Sequence, residues 1–256
     1  LDSEILMSKA IQRDRGYIML NLNKKVDKKI SNYFKDLIFQ RSTHKPIAYI
    51  LGKKSFWNYE FDISSDVLIP RPDTEIIVEK VLEITKNKSK QKILDIGTGS
   101  GCILLTILKE KQNFYGTGID ISKKCIDITR INAIKLGVND RLKLIKSDID
   151  NFNYGKYDLI ISNPPYIPPS ESDLFDKNVK YEPDIALYTP KDNPLHFYEK
   201  ILEFASLNLS NNGIIYLEIN PNFIKEFNQL LTNYSVNHVN FKDDFRGKKR
   251  LAKVIF

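Results

Sequence analysis

Residues 92–120 read KILDIGTGSGCILLTILKEKQNFYGTGID, and the way this stretch divides decides the fold. A run that is apolar except for Asp95, 93–96, stops at glycines 97, 99 and 101. Apolar residues at helical spacing then fill 102–110, and a second short apolar run ends on Asp120. A strand, a glycine turn, a helix and a second strand follow from that pattern. Glycines at such a turn let the chain bend sharply and let a ligand come close to the backbone. The dinucleotide fingerprint G-x-G-x-x-G would need its third glycine at 102, where the chain has Cys102, so that reading fails.

Working outward, the same alternation continues downstream. SKKCIDITRINAIKLG (122–137) reads as helix, RLKLIKSD (141–148) as strand and YDLIISN (157–163) as a strand that stops at Pro164. A long polar loop is expected over 167–193, then a helix over 194–209, a strand over 213–219, a helix over 222–231 and a closing pair of strands over 235–241 and 250–256. Upstream, TEIIVEKVLEIT (74–85) reads as a helix entered through Pro72 and acidic first-turn residues. Strand–helix alternation of this length predicts an α/β fold with an open, doubly wound, Rossmann-like parallel sheet. Residues 1–52 differ. Apolar positions Ile5, Leu6, Ala10, Ile11 and then Val26, Ile30, Phe34, Leu37, Ile38 fall at helical spacing, with a glycine stop at Gly52. SFWNYEFDISSDVLI (55–69) is aromatic and β-branched and reads as a hairpin. The expected division is a helical domain over 1–52, a hairpin linker over 53–70 and a catalytic domain over 71–256.

Composition narrows the class. The 256 residues are 42% hydrophobic and 28% charged, ordinary values for a globular chain. No run approaches the ~18 apolar residues of a membrane span. The opening residues are charged and carry no secretory pattern. They begin at Leu1 and the helical domain reads about one helix short, the pattern of a trimmed start. The two cysteines, Cys102 and Cys125, sit in apolar helical patterns and read as buried free thiols in a reducing compartment, with no metal-ligand spacing. The net charge of +7 is spread along the chain and draws no nucleic-acid footprint. His44, His196 and His238 fall outside every motif and read as structural or surface residues.

Three strand ends carry the chemistry. The loop Gly97-Thr98-Gly99-Ser100-Gly101 follows the first strand of the series, Asp120 ends the second and Asp148 ends the third. In open α/β sheets, ligands sit at the carboxyl ends of the strands. A carboxylate at 120 can accept from both hydroxyls of a ribose, and Asp148 is placed to meet an adenine amino group. Each acid alone could instead be a helix N-cap. Asn163-Pro164-Pro165-Tyr166 follows the fourth strand. Proline at 164 pushes Asn163 out of the helical region, and the two prolines have no N–H. The Asn163 side-chain oxygen and the Pro164 carbonyl can therefore converge on one NH2 group, while Tyr166 offers a flat face for a planar amide or base.

The glycine loop with Asp120 and Asp148 resembles the class I methyltransferases over residues 92–163. The resemblance implies S-adenosylmethionine bound by Gly97, Thr98, Gly99, Ser100, Gly101, Asp120, Asp148, Ile149 and Asn163, with S-adenosylhomocysteine as product. Ile149 would pack on the adenine, and Asp95 would brace the loop or face the methionine end. Catalysis would fall to Asn163, Pro164 and Tyr166, on a substrate held by Asn163, Pro164, Pro165, Tyr166 and Arg71. The NPPY motif by itself leaves adenine, guanine, cytosine and glutamine open as acceptors.

Further motifs decide among those acceptors. KPIAYILG (45–52), Phe56-Trp57, Phe61, VLIPRPDTE (67–75), Tyr181-Glu182-Pro183 and Asp244…Gly247…Arg250 resemble the HemK family, the glutamine methyltransferases of peptide-chain release factors. The resemblance spans nearly the whole chain. It implies N5-methylation of the glutamine in a release factor's Gly-Gly-Gln loop, recognised by the helical domain. A cytoplasmic monomer that needs neither membrane nor nucleic acid is the corresponding expectation. The alternative is an N6-adenine or guanine methyltransferase acting on RNA or DNA. Arg71 reads equally as a wall of the site or as a salt-bridging residue near the linker, and Glu182-Pro183 equally as packing. LEIN (217–220) departs from the family pattern at Asn220, where a glycine is usual.

Overall fold

The computed structural model describes residues 1–190 and 193–256. Four helices open the chain: α1 (Asp2–Ile11), α2 (Arg15–Leu20), α3 (Lys28–Ser42) and α4 (Ile47–Leu51). Leu6, Ala10, Leu37 and Ile50 form their small core. The short α2 was not legible in the periodicity. It buries no residue and starts on an Asp14 side chain that accepts from the Tyr17 amide at 2.7 Å. Gly52 ends α4 at φ 77°, the left-handed stop its position predicts.

The hairpin is shorter than its aromatic run. β1 (Lys53–Phe56) and β2 (Tyr59–Asp62) pair antiparallel around Trp57 and Asn58. Residues 63–71 leave the ladder. Ile63, Val67 and Ile69 bury inward with Tyr49 and Cys125, and a turn closed by the Val67 amide donating to the Ser64 carbonyl at 3.2 Å carries the chain away from strand pairing. The Tyr49 hydroxyl donates to the Val67 carbonyl at 2.7 Å and ties the helical region to this segment.

Beyond a 3₁₀ turn at Pro72–Thr74 come α5 (Glu75–Ile84), β3 (Gln91–Ile96), α6 (Cys102–Glu110), β4 (Phe114–Asp120), α7 (Lys123–Leu136), β5 (Leu142–Lys146) and β6 (Tyr157–Ser162). After residues 167–190, which carry three 3₁₀ turns, follow α8 (His196–Asn208), β7 (Leu209–Glu218), α9 (Ile224–Leu231), β8 (His238–Asp243) and β9 (Lys249–Ile255). The expected loop over 167–193 includes residues 191–192, which lie outside the described residues.

The main sheet has seven strands in the order β5-β4-β3-β6-β7-β9-β8. β5 through β7 are parallel, while β9 runs antiparallel to both β7 and β8, so the sheet is mixed rather than wholly parallel. Side chains alternate between its faces: Ile93 joins the core under α5, α6 and α7, and Leu94 the core under α8 and α9. Every residue of α6 from Cys102 to Leu108 is buried. Each large apolar side chain there contributes roughly 1.5–3 kcal/mol relative to exposure.

Chain order reverses between β3 and β6, and the crevice at their carboxyl ends is where an open sheet binds its ligand. Register then builds the site. Ile96 pairs with Ser162 and with Ile119, so Gly97, Asn163 and Asp120 emerge side by side. The Ser162 hydroxyl locks this arrangement by donating to the Ile96 carbonyl at 2.7 Å.

Candidate active site

Two cavities meet at these strand ends. A cleft of about 280 Å³ is lined by Gly97, Gly99, Asp120, Asp148 and Ile149 on one side and by Asn163, Pro164 and Pro165 on the other. A groove of about 1140 Å³ runs from Asn163, Pro164, Pro165 and Tyr166 past Arg71 and Glu182 to Arg41 and Asp2 of the helical region. Asn163-Pro164-Pro165, with Leu68 and Ala186, is the wall common to both.

On the cleft side, Asp120 holds the glycine loop in shape. Its carboxylate accepts from the Gly99 amide and from the Ser122 amide, each at 2.9 Å. Burial pushes the Asp120 carboxyl above its ordinary range, with those two amides opposing the shift. Each oxygen keeps a lone pair for a further donor. Asp148 is the N-cap of the turn over Ile149–Asn151, so the N-cap role and a place on the cleft wall coincide in one residue. Asp95 is buried behind the loop and accepts from the Thr98 hydroxyl at 2.8 Å. Of its two expected places, the structure gives it the bracing one. Burial raises its carboxyl to about 7, and the Thr98 bond works against that rise.

The glycine loop divides by role. Gly97 and Gly99 have φ of 74° and 57°, and a Cβ on either would project into open space at the cleft wall. A backbone cradle left clear in this way, beneath two acids with free lone pairs, fits a nucleoside-bearing cofactor. Gly101 also has positive φ, but a Cβ there would lie 2.7 Å from Thr129 Cγ2, so its smallness serves helix packing. Thr98 and Ser100 are buried, and neither they nor Gly101 line the cleft. Of the five loop residues, Gly97 and Gly99 form the cleft wall, and Thr98, Ser100 and Gly101 lie behind it.

His196 belongs to no motif yet reaches the cleft. It lines the cleft with Phe197, Lys200 and Ile201, because α8 packs its first turns against the strand ends. No motif marks these residues, and apolar periodicity along 194–209 was the one signal of their placement. Cys125 also lies on the cleft wall, a free thiol pushed up to about 12 by burial.

On the groove side, Asn163 Nδ2 donates to Thr74 Oγ1 at 3.3 Å, which leaves its Oδ1 directed elsewhere. Among the described residues no group donates to the Pro164 carbonyl. Tyr166 packs on the core under α8, and its hydroxyl donates to Glu218 Oε1 at 3.0 Å. Burial holds that phenol well above its usual range. Arg71 takes both roles left open for it: it lines the groove and pairs with Glu182 at 2.5 Å. Asn220 donates to the Tyr166 carbonyl at 3.2 Å and caps the following turn, so the departure from glycine supports the loop behind Tyr166.

Fold and site together define a class I methyltransferase with S-adenosylmethionine as methyl donor. Residues 56–177 match the methyltransferase small domain and residues 1–52 the PrmC N-terminal domain. The chain belongs to the release factor glutamine methyltransferase family. It is 37% identical to the release factor glutamine methyltransferase of Flavobacterium psychrophilum, over 98% of this chain and 90% of that protein. It is 35% identical to the bifunctional methyltransferase of Rickettsia conorii, over 98% of this chain but 53% of that longer protein. A methyltransferase structure from Pyrococcus furiosus superposes with a TM-score of 0.58 at 18% identity, covering 88% of this chain and 98% of that one, and shares the fold.

Proposed function

We propose that this chain transfers a methyl group to the side-chain amide nitrogen of the glutamine in a release factor's Gly-Gly-Gln loop. One observation carries the reading: Asn163-Pro164-Pro165 separates the cleft built for a nucleoside from a groove long enough to take a polypeptide loop.

The Gly97 and Gly99 backbone, the free lone pairs of Asp120 and Asp148, and the Ile149 side chain hold S-adenosylmethionine. When bound, it supplies a methyl group made electrophilic by its sulfonium. Asn163 Oδ1 and the Pro164 carbonyl accept the two protons of the glutamine NH2, which aims the nitrogen and raises its electron density. Tyr166, held by Glu218, supports the flat amide, and Pro165 fixes the turn. Arg71 shapes the groove entrance. Orientation is most of the catalytic task, since no general base is needed before the nitrogen becomes cationic and acidic.

Residues 1–52 act as the recognition domain, residues 53–70 as the linker and residues 71–256 as the catalytic domain. The match of residues 1–52 to a separate family domain supports the first boundary. Contacts from Tyr181 to the Thr43 carbonyl at 2.6 Å and from Arg41 to Asn178 place α3 along the groove. The protein works as a monomer in the cytoplasm without nucleic acid. Among the described residues no helix is long and apolar enough to cross a membrane.

The test is transfer of labelled methyl to a purified release factor, beside the same factor with its Gly-Gly-Gln glutamine changed to alanine. Label on the first alone supports the reading. Label on both, or on naked RNA instead, overturns it.

A further inference from the structure

Glu218 ends β7 as a carboxylate only 2% exposed, at the inner wall of the groove behind Tyr166. Its two oxygens are taken separately. Thr74 Oγ1 donates to Oε2 at 2.6 Å, and the Tyr166 hydroxyl donates to Oε1 at 3.0 Å. Thr74 Oγ1 in turn accepts from Asn163 Nδ2 at 3.3 Å. One buried acid therefore touches, directly or through one hydroxyl, both side chains that flank Pro164-Pro165.

We propose that Glu218 is a positioning residue that fixes, through the Thr74 hydroxyl, which end of the Asn163 amide faces the substrate nitrogen. A threonine hydroxyl has a single proton, and an ionised carboxylate only accepts. The Thr74 proton is committed to Glu218, so only lone pairs remain toward Asn163. Those lone pairs admit the amide nitrogen and repel the amide oxygen. The Asn163 oxygen is thereby turned to where a substrate NH2 arrives. A flipped Asn163 would present a donor to a donor and lose its function without moving an atom of the backbone. Burial raises the Glu218 carboxyl above its ordinary range, while the Thr74 hydroxyl, the Arg250 charge and the Tyr166 hydroxyl all act to keep it ionised.

This inference rests on Asn163 as the acceptor for a substrate NH2, and two readouts separate it from that reading. The first is labelled-methyl transfer to the release factor by Glu218→Gln, Thr74→Val and Thr74→Ser, each alone and combined with Asn163→Ala. A glutamine at 218 can offer its own NH2 to Thr74 and free that hydroxyl to turn. Glu218→Gln and Thr74→Val should lower kcat about 10- to 100-fold, with Kd for S-adenosylmethionine held within about twofold. Thr74→Ser should recover most of the loss, and neither change should lower activity further once Asn163 is alanine. Losses that multiply with Asn163→Ala, or near-normal turnover by Glu218→Gln, overturn the proposal.

The second readout needs no substrate. The side-chain ¹⁵NH2 resonance of Asn163, assigned by its loss in Asn163→Ala, should shift or double in Glu218→Gln and in Thr74→Val. An unchanged resonance in both overturns the proposal. A wild-type protein that labels no release factor defeats the functional reading alone, and the resonance still decides this one.

Discussion

Arg71 and Glu182 lie 111 residues apart and meet at 2.5 Å, the arginine 37% exposed at the groove and the glutamate side chain 2% exposed beneath it. The other Glu182 oxygen accepts from the Ile69 amide at 3.0 Å. One buried carboxylate thus fastens the loop after β6 to the segment after β2.

Removing that carboxylate should loosen both segments at once. Glu182→Ala leaves the Ile69 amide buried without an acceptor and the Arg71 guanidinium without its partner, costing about 1–3 kcal/mol. The expected kinetic result is a raised KM for the release factor with Kd for the cofactor little changed. Steady-state kinetics and isothermal titration would measure the two. A normal KM would take the pair out of substrate recognition.

Asn163 and Asp120 should fail in different ways. Asn163→Ala removes an oriented acceptor at the reacting nitrogen and should lower kcat about 10²- to 10³-fold, roughly 3–4 kcal/mol. Its cofactor affinity should change by much less. Asp120→Ala removes the acceptor for two backbone amides and for the ribose, so its cofactor affinity should fall by about 1–3 kcal/mol. Calorimetry of S-adenosylmethionine binding to both variants distinguishes the roles, and an unchanged Kd for Asp120→Ala would remove it from the site.

The loop glycines offer a contrast between ligand and packing. Gly99→Ala meets nothing within 4 Å but carries φ of 57°, so it should cost about 1–2 kcal/mol of stability and obstruct the cleft. Gly101→Ala adds a Cβ 2.7 Å from Thr129 Cγ2, and Thr129 is held by its bond to the Gly99 carbonyl. Overpacking of about 1–3 kcal/mol should then add to the backbone strain. Thermal unfolding should rank Gly101→Ala as the less stable variant, while cofactor titration should rank Gly99→Ala as the weaker binder.

Asp95 predicts a pH dependence with a definite sign. Its carboxyl is raised to about 7 by burial, from an ordinary 3.8. Below 3.8 the carboxyl is protonated in both folded and unfolded chains and adds no pH dependence. Between 3.8 and about 7 the unfolded chain gives up the proton that the folded one keeps, so stability falls as pH rises. The loss is on the order of 4 kcal/mol by pH 7 and levels off above it. Asp95→Asn should lack this slope. Thermal midpoints of the cofactor-free proteins from pH 4.5 to 8 test it: parallel curves for the two would rule out a raised carboxyl at 95.

Local chemistry determined much of this protein before any folding was considered. Apolar periodicity marked the strands ending at Asp120 and Ser162, glycine spacing excluded the dinucleotide fingerprint at Cys102, and Pro164 and Pro165 fixed the turn that frees a carbonyl. Each of these depends on residues a few positions apart, where sterics and spacing act directly. Tertiary structure alone decided the rest. The pairing of Ile96 with Ser162 and Ile119 brings Gly97, Asn163 and Asp120 together from three different strands. His196 reaches the cleft because α8 docks there, and Glu218 lies 144 residues from Thr74 and 52 from Tyr166 yet binds both. Hydrogen-bond partners separated by such lengths of chain are chosen by strand register and helix packing, and neither is written in the identity of a residue's neighbours in sequence.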